Sequence, residues 1–129
     1  MRKIIFPLAL FLAIITGCED LLEVPDISEQ EVQLLAPLDS SVVNDTLVNF
    51  NWNSVVEANS YVIQVATPNF ENAAQYVLDS IMPVDSTFVG TKFSKSLSSG
   101  NYEWRVKAMN SDYETVFSSS EFSVENSSD

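Results

Sequence analysis

The chain of 129 residues contains no histidine and a single cysteine, Cys18. Imidazole acid/base catalysis, a disulfide framework and a Cys/His zinc site are therefore excluded before any pattern is read. Basic residues are also scarce: six Lys plus Arg stand against 18 Asp plus Glu, a formal net charge of −12. This balance excludes nucleic acid as a partner, because phosphate contacts need clustered Lys or Arg. No stretch beyond about Val32 keeps a 3.6-residue apolar period over a helix length, so a helical domain is excluded as well. The length leaves room for one domain.

What the chain does contain begins with Arg2 and Lys3, followed by Ile4 to Ile15 without a charge. A basic start and a short apolar run are the n-region and h-region of a signal peptide, here residues 1–17; a membrane-spanning helix needs about 20 apolar residues. Directly behind it stands Ile15-Thr16-Gly17-Cys18. This tetrapeptide resembles the lipobox of bacterial lipoproteins: an aliphatic residue, two small or polar residues, then cysteine. The resemblance implies diacylglycerol on the Cys18 sulfur, cleavage after Gly17 and acylation of the new amino terminus. The alternative is an ordinary cleaved secretory signal that leaves an unpaired cysteine near the mature start. At about 0.8 kcal/mol per buried methylene, a multiply acylated cysteine stays on a bilayer almost permanently. Once Arg2 and Lys3 are removed, four basic residues face 18 acidic ones and the formal charge becomes −14.

Residues 18–31 read as the lipidated cysteine and an acidic tether, running through Glu19-Asp20-Leu21-Leu22-Glu23 to Glu31. An acidic cluster behind a lipidated cysteine resembles the surface-export signal of Bacteroidota lipoproteins, although Leu21 and Leu22 interrupt it here. It implies a lipid-anchored protein of the bacterial outer membrane, displayed on the exterior, with the periplasmic face as the alternative. Read without the resemblance, these acids form a solvated linker that an anionic membrane surface repels.

Residues 32–125 alternate in short apolar segments punctuated by Asn, Asp, Ser, Gly and Pro, and 126–129 read as a disordered tail. In Val48-Asn49-Phe50-Asn51-Trp52 the apolar residues share one face and the asparagines the other. Tyr61, Ile63 and Val65 alternate in the same way, as do Tyr102, Trp104, Val106 and Ala108 against Glu103, Arg105 and Lys107. Weaker strands fit Gln33–Leu35, Gln75–Leu78, Phe88–Phe93 and Phe117–Val124. Seven strands separated by turn signals predict an all-β, antiparallel two-sheet sandwich. Its inward set is Val48, Phe50, Trp52, Tyr61, Ile63, Val65, Leu97, Tyr102, Trp104, Val106, Ala108, Phe122 and Val124. Burying a large apolar side chain is worth about 1.5 to 3 kcal/mol, enough for this set to offset ordering entropy without a disulfide.

Pro37, Phe50-Asn51-Trp52, Ala58-Asn59-Ser60-Tyr61 and the run from Leu97 to Ala108 together resemble fibronectin type III and related immunoglobulin-like modules. The resemblance implies that Trp52 packs against Tyr61. It also implies that Tyr102 is a corner tyrosine whose hydroxyl bonds back to the chain near Leu97, beside a tight turn at Gly100. No Arg-Gly-Asp sequence supports an integrin-type role. With the lipobox and the acidic tether, the module is also similar to the first domain of Bacteroidota outer-membrane glycan-utilisation lipoproteins, where it serves mostly as a spacer or docking element.

Chemistry is sparse. Without histidine or a free thiol in the lipidated chain, only carboxylates and hydroxyls remain, so the chain reads as non-enzymatic and needs no cofactor. Asp79, Asp85, Asp112 and Glu114 are candidate calcium ligands, but no Asp-x-Asp-x-Asp-Gly pattern is present, and solubilising loop acids are the preferred reading, with no metal site assigned. Phe70, Tyr76 and Tyr113 are candidates for stacking on sugar, Tyr113 first; packing of Tyr113 beside Phe117 is the preferred alternative. Arg105 and Lys107 share an exposed face on which an acidic partner surface could dock, while ion pairs with cross-strand acids explain them more simply. Asp45-Thr46-Leu47, Asp79-Ser80-Ile81 and Asp85-Ser86-Thr87 resemble the O-glycosylation acceptor sequence of exported Bacteroidota proteins, with Thr46, Ser80 and Ser86 as acceptors. Ser80 and Ser86 are expected in a loop, where modification is sterically open. The reading is a lipid-anchored docking module for another envelope protein; accessory glycan binding within a nutrient-uptake complex is the second.

Overall fold

Period-two alternation dictates most of the architecture. A computed structural model of the chain describes residues 23–84 and 91–126. Cys18, Ser86, Asp85 and the signal segment therefore lie outside the described residues. Eight strands form: β1 Leu34–Ala36, β2 Ser41–Val43, β3 Leu47–Trp52, β4 Ser60–Thr67, β5 Gln75–Pro83, β6 Lys92–Ser96, β7 Gly100–Met109 and β8 Ser118–Val124. They build two sheets, β1-β3-β6 and β2-β8-β7-β4-β5. The result is an all-β sandwich of the fibronectin type III and immunoglobulin-like kind. Among the described residues no helix is long and apolar enough to cross a membrane.

The expectation of seven antiparallel strands needs correcting in number and in direction. The additional strand, β2, pairs parallel with β8, placing Ser41 opposite Phe122 and Val43 opposite Val124. Three residues are too few to display an alternation, and β2 exists because β8 offers it a ladder. Its approach is fixed by Ser40, which has a positive φ of 68° and whose N–H donates to the Glu121 carbonyl at 2.7 Å. The Asp39 carboxylate in turn accepts the Glu121 N–H at 2.9 Å. β5 runs five residues past its expected end at Leu78 and is interrupted by a bulge opposite Val65 and Ala66. β6 starts at Lys92, later than the expected strand over Phe88–Phe93, part of which falls outside the described residues.

All thirteen residues of the expected inward set are buried. Phe50 and Trp104 meet edge to face at 5.0 Å between centroids, and Trp52 meets Tyr61 at 5.7 Å. Tyr102 stacks on Phe122 at 5.5 Å. Burial obliges the polar tips of these rings to find partners. Trp104 Nε1 donates to the Pro37 carbonyl at 3.0 Å, the Tyr102 hydroxyl donates to the Ser98 carbonyl at 2.7 Å, and the Tyr61 hydroxyl accepts the Val55 N–H at 2.8 Å. The corner tyrosine is thus where the resemblance puts it. Gly100 carries a positive φ of 157°; a Cβ there would meet the Tyr102 ring at an ordinary 3.8 Å, so backbone conformation and not space favours glycine.

The tether reading of residues 18–31 reaches too far. Ile27 is fully buried and belongs to the same core cluster as Phe50 and Trp104. The segment is held by the Asp26 carboxylate, which accepts the Ser28 hydroxyl and N–H at 2.6 and 2.9 Å, and by the Pro25 carbonyl, which accepts Asn110 Nδ2 at 2.9 Å. One isoleucine among polar residues carries no periodicity, so only the packed structure reveals its role.

Burial pushes the Tyr61 hydroxyl above its ordinary value of 10.0, and the smaller effect of the Val55 N–H acts in the opposite direction. A folded-state value above the unfolded one means that this group's contribution is complete below the unfolded value and is lost as pH rises through the folded one. Denaturation midpoints measured from about pH 9 to about pH 11 should therefore fall, and Tyr61→Phe should flatten that fall. An equal slope in both proteins would count against it.

Candidate functional site

The outer face of the five-stranded sheet gathers the chemistry. Strand register places Arg105, Gln64 and Asp79 in one row and Lys107, Val62 and Ile81 in the next. Arg105 is held from several sides. Its guanidinium carbon lies 3.9 Å from the Phe70 ring centre and 4.2 Å from that of Phe117. Its Nε donates to Gln64 Oε1 at 2.8 Å, and Gln64 Nε2 donates onward to Asp79 Oδ1 at 3.1 Å. One terminal nitrogen reaches the Tyr76 hydroxyl at 3.4 Å. Phe70 is itself positioned, its N–H donating to Glu103 Oε1 at 2.9 Å and its ring meeting Tyr76 edge-on at 5.4 Å.

This arrangement corrects the simple ion-pair reading of Arg105, whose planar cation packs on aromatic faces where a carboxylate was expected. Lys107 does make an ion pair, at 2.9 Å, but with Glu114 of the loop after β7 and not with a cross-strand neighbour. Its ammonium also lies 5.0 Å from the Phe117 ring centre. Exposed pairs of this kind are worth less than about 1 kcal/mol. The cluster fastens the β4–β5 loop and the start of β8 onto the sheet. Arg105→Ala should therefore lower stability by about 1 to 2 kcal/mol, and Arg105→Lys should recover only part of it, read as the urea midpoint. Full recovery by lysine would show that charge alone matters.

The three aromatics considered for sugar stacking do not form one platform. Phe70 and Tyr76 meet at the Glu103 end of β7, whereas Tyr113 lies in the loop beyond its other end at Met109. Tyr113 is 37% exposed. Its N–H donates to Asn110 Oδ1 at 2.9 Å, and its ring joins none of the aromatic pairs among the described residues. Phe117 turns to Arg105 and Lys107. Sequence spacing offers no signal that joins positions 70, 105 and 117; antiparallel pairing brings them together.

Thr46 stands exposed in the turn before β3, where Asp45 Oδ1 accepts the Leu47 N–H at 3.2 Å. Ser80 is not in a loop: it lies within β5 opposite Ile63, half-buried on the side of the sheet that faces the core. A ladder strand with that orientation gives a transferase poor access. Among the described residues no group of three or more His, Cys, Asp or Glu is placed to hold a metal ion. Asp79 is engaged by Gln64 and Glu114 by Lys107.

No protein-family model matches the chain, and no curated protein matches it. Solved structures similar to it include CopC from Methylosinus trichosporium OB3b, at 16% identity and a TM-score of 0.48, with 77% of this chain and 98% of that one covered. Another is the rat CD45 extracellular region, domains d3-d4, at 16% identity and a TM-score of 0.46, with 95% and 78% covered.

Proposed function

We propose that the chain is a non-enzymatic lipoprotein of the bacterial cell envelope, of Bacteroidota type, whose sandwich docks onto another envelope protein. The observation that carries this reading is the placement of the only thiol, Cys18, directly behind Ile15-Thr16-Gly17 and a charge-free run of signal-peptide length. The packed segment around Pro25 and Ile27 gives the reading a geometry. Seven residue steps separate Cys18 from Pro25, at most about 25 Å of extended chain. On this reading the pole carrying Asn110 and Glu57 stands close to the lipid, and the long faces of both sheets remain free for a neighbour. Docking is favoured over glycan binding because Phe70 and Phe117 already hold Arg105 against their rings, and among the described residues Tyr76 and Tyr113 lie apart and not in one row.

The test is fractionation of the producing bacterium together with co-purification from solubilised membranes. The wild-type chain is expected in the membrane fraction with a protein partner in stoichiometric amount, and Cys18→Ser in the soluble fraction. Membrane retention of Cys18→Ser would refute the anchor. Recovery of the wild-type chain alone would refute docking.

A further inference from the structure

The sandwich has four sheet edges, and three of them are blunted. β1 and β2 are three residues long, and β6 carries Lys92 and Lys95. Short strands and lysines are the usual means by which an edge avoids pairing with another chain. β5 has neither. It runs nine residues, Gln75–Pro83, holds no basic residue, and exposes Tyr76 and Ile81 at 45% and 66%. Among the described residues nothing pairs with its outer side.

Its backbone is also oriented for pairing. The Val84 N–H donates to the Asn59 carbonyl at 3.0 Å. By the two-residue period of a strand, Met82 and Ser80 then turn their amides toward β4, while Ile81 and Asp79 turn theirs outward. Pro83 falls on an outward position, where a missing N–H breaks no ladder bond.

We infer that β5 receives an extended, basic strand of a partner protein, which lengthens the five-stranded sheet by antiparallel or parallel addition; this deepens the docking reading and rests on it. Charge selects the occupant. A strand laid beside β5 sets its side chains directly across from Asp79, where lysine or arginine is favoured and a carboxylate is penalised. A second copy of this chain fits poorly, since each carries a net charge of −12 before processing and pairing centred on Asp79 would face carboxylate with carboxylate. Apolar residues on the strand's other face would continue the row of Leu78 and Met82, which face the core.

The probe is a nine-residue peptide of alternating lysine and valine, with a glutamate-valine peptide as its control, titrated against the full lipidated chain in detergent micelles. Amide hydrogen exchange is expected to slow at Asp79 and Ile81 with the lysine peptide. Affinity should drop at least tenfold for the glutamate peptide and for Ile81→Pro, which removes an outward N–H and leaves the β4 ladder intact. Asp79→Lys, which changes no backbone group, should give the same loss if Ile81→Pro fails to fold. Absence of binding, protection elsewhere on the molecule, or binding indifferent to Asp79→Lys would overturn the inference. A native partner that co-purifies equally with wild type and Ile81→Pro would overturn this inference alone, whereas no co-purifying partner from wild type would overturn the docking reading itself.

Discussion

Replacing Trp104 with alanine lowers the unfolding free energy by about 3 to 5 kcal/mol, the cost of truncating a fully buried aromatic ring. Two contributions act together. The ring leaves a void between Phe50 and Trp52, whose centroids lie 5.0 and 6.2 Å from it. The buried Pro37 carbonyl also loses the indole N–H that now donates to it at 3.0 Å. A domain of this size has a total stability of about 5 to 15 kcal/mol, so the variant is left marginal or unfolded. Trp52→Phe provides the contrast, because Trp52 Nε1 is buried with no protein acceptor in reach and no hydrogen bond is lost. Its cost is about 1 to 2 kcal/mol from volume alone. Urea denaturation followed by circular dichroism distinguishes the two, and equal losses would contradict the role assigned to Pro37.

Removing residues 23–31 lowers the stability of the sandwich by about 2 to 5 kcal/mol, although this stretch reads as a linker. Ile27 is fully buried in the core cluster that also holds Val32 and Val55, and its loss leaves a void there. The Pro25 to Asn110 hydrogen bond disappears with it. Two truncations starting at residues 23 and 32 test this by thermal unfolding, where each kcal/mol corresponds to about 4 to 8 °C in Tm. Ile27→Ala in the full chain should reproduce most of the loss. Equal melting temperatures for the two truncations would show that the segment is only a tether.

These two cases mark where sequence reasoning succeeds and where it stops. Trp104 was legible because β7 repeats an apolar residue at every second position over Tyr102, Trp104, Val106 and Ala108, and period two identifies the buried face with no knowledge of the neighbours. Ile27 was not legible, because a lone apolar residue between Asp26 and Ser28 repeats nothing. β2 was missed for a related reason: it is short, and its parallel ladder with β8 draws on residues about 80 positions away. At the candidate site the placement of Arg105 and Lys107 on one outer face followed from alternation. The ring partners of Arg105 did not, since Phe70 comes from a loop whose path depends on Glu103 capturing its N–H.

The sequence by itself determined the all-β class, thirteen of the core residues and the absence of histidine. It could do so because alternation and composition are local properties of the chain. Only tertiary structure decided that the packed module begins before residue 32, that Arg105 lies against two phenyl rings, and that β5 is the one long edge without a lysine. Each of these depends on which distant strands become neighbours, and the free energy of pairing and burial that chooses those neighbours is written in no single stretch of residues.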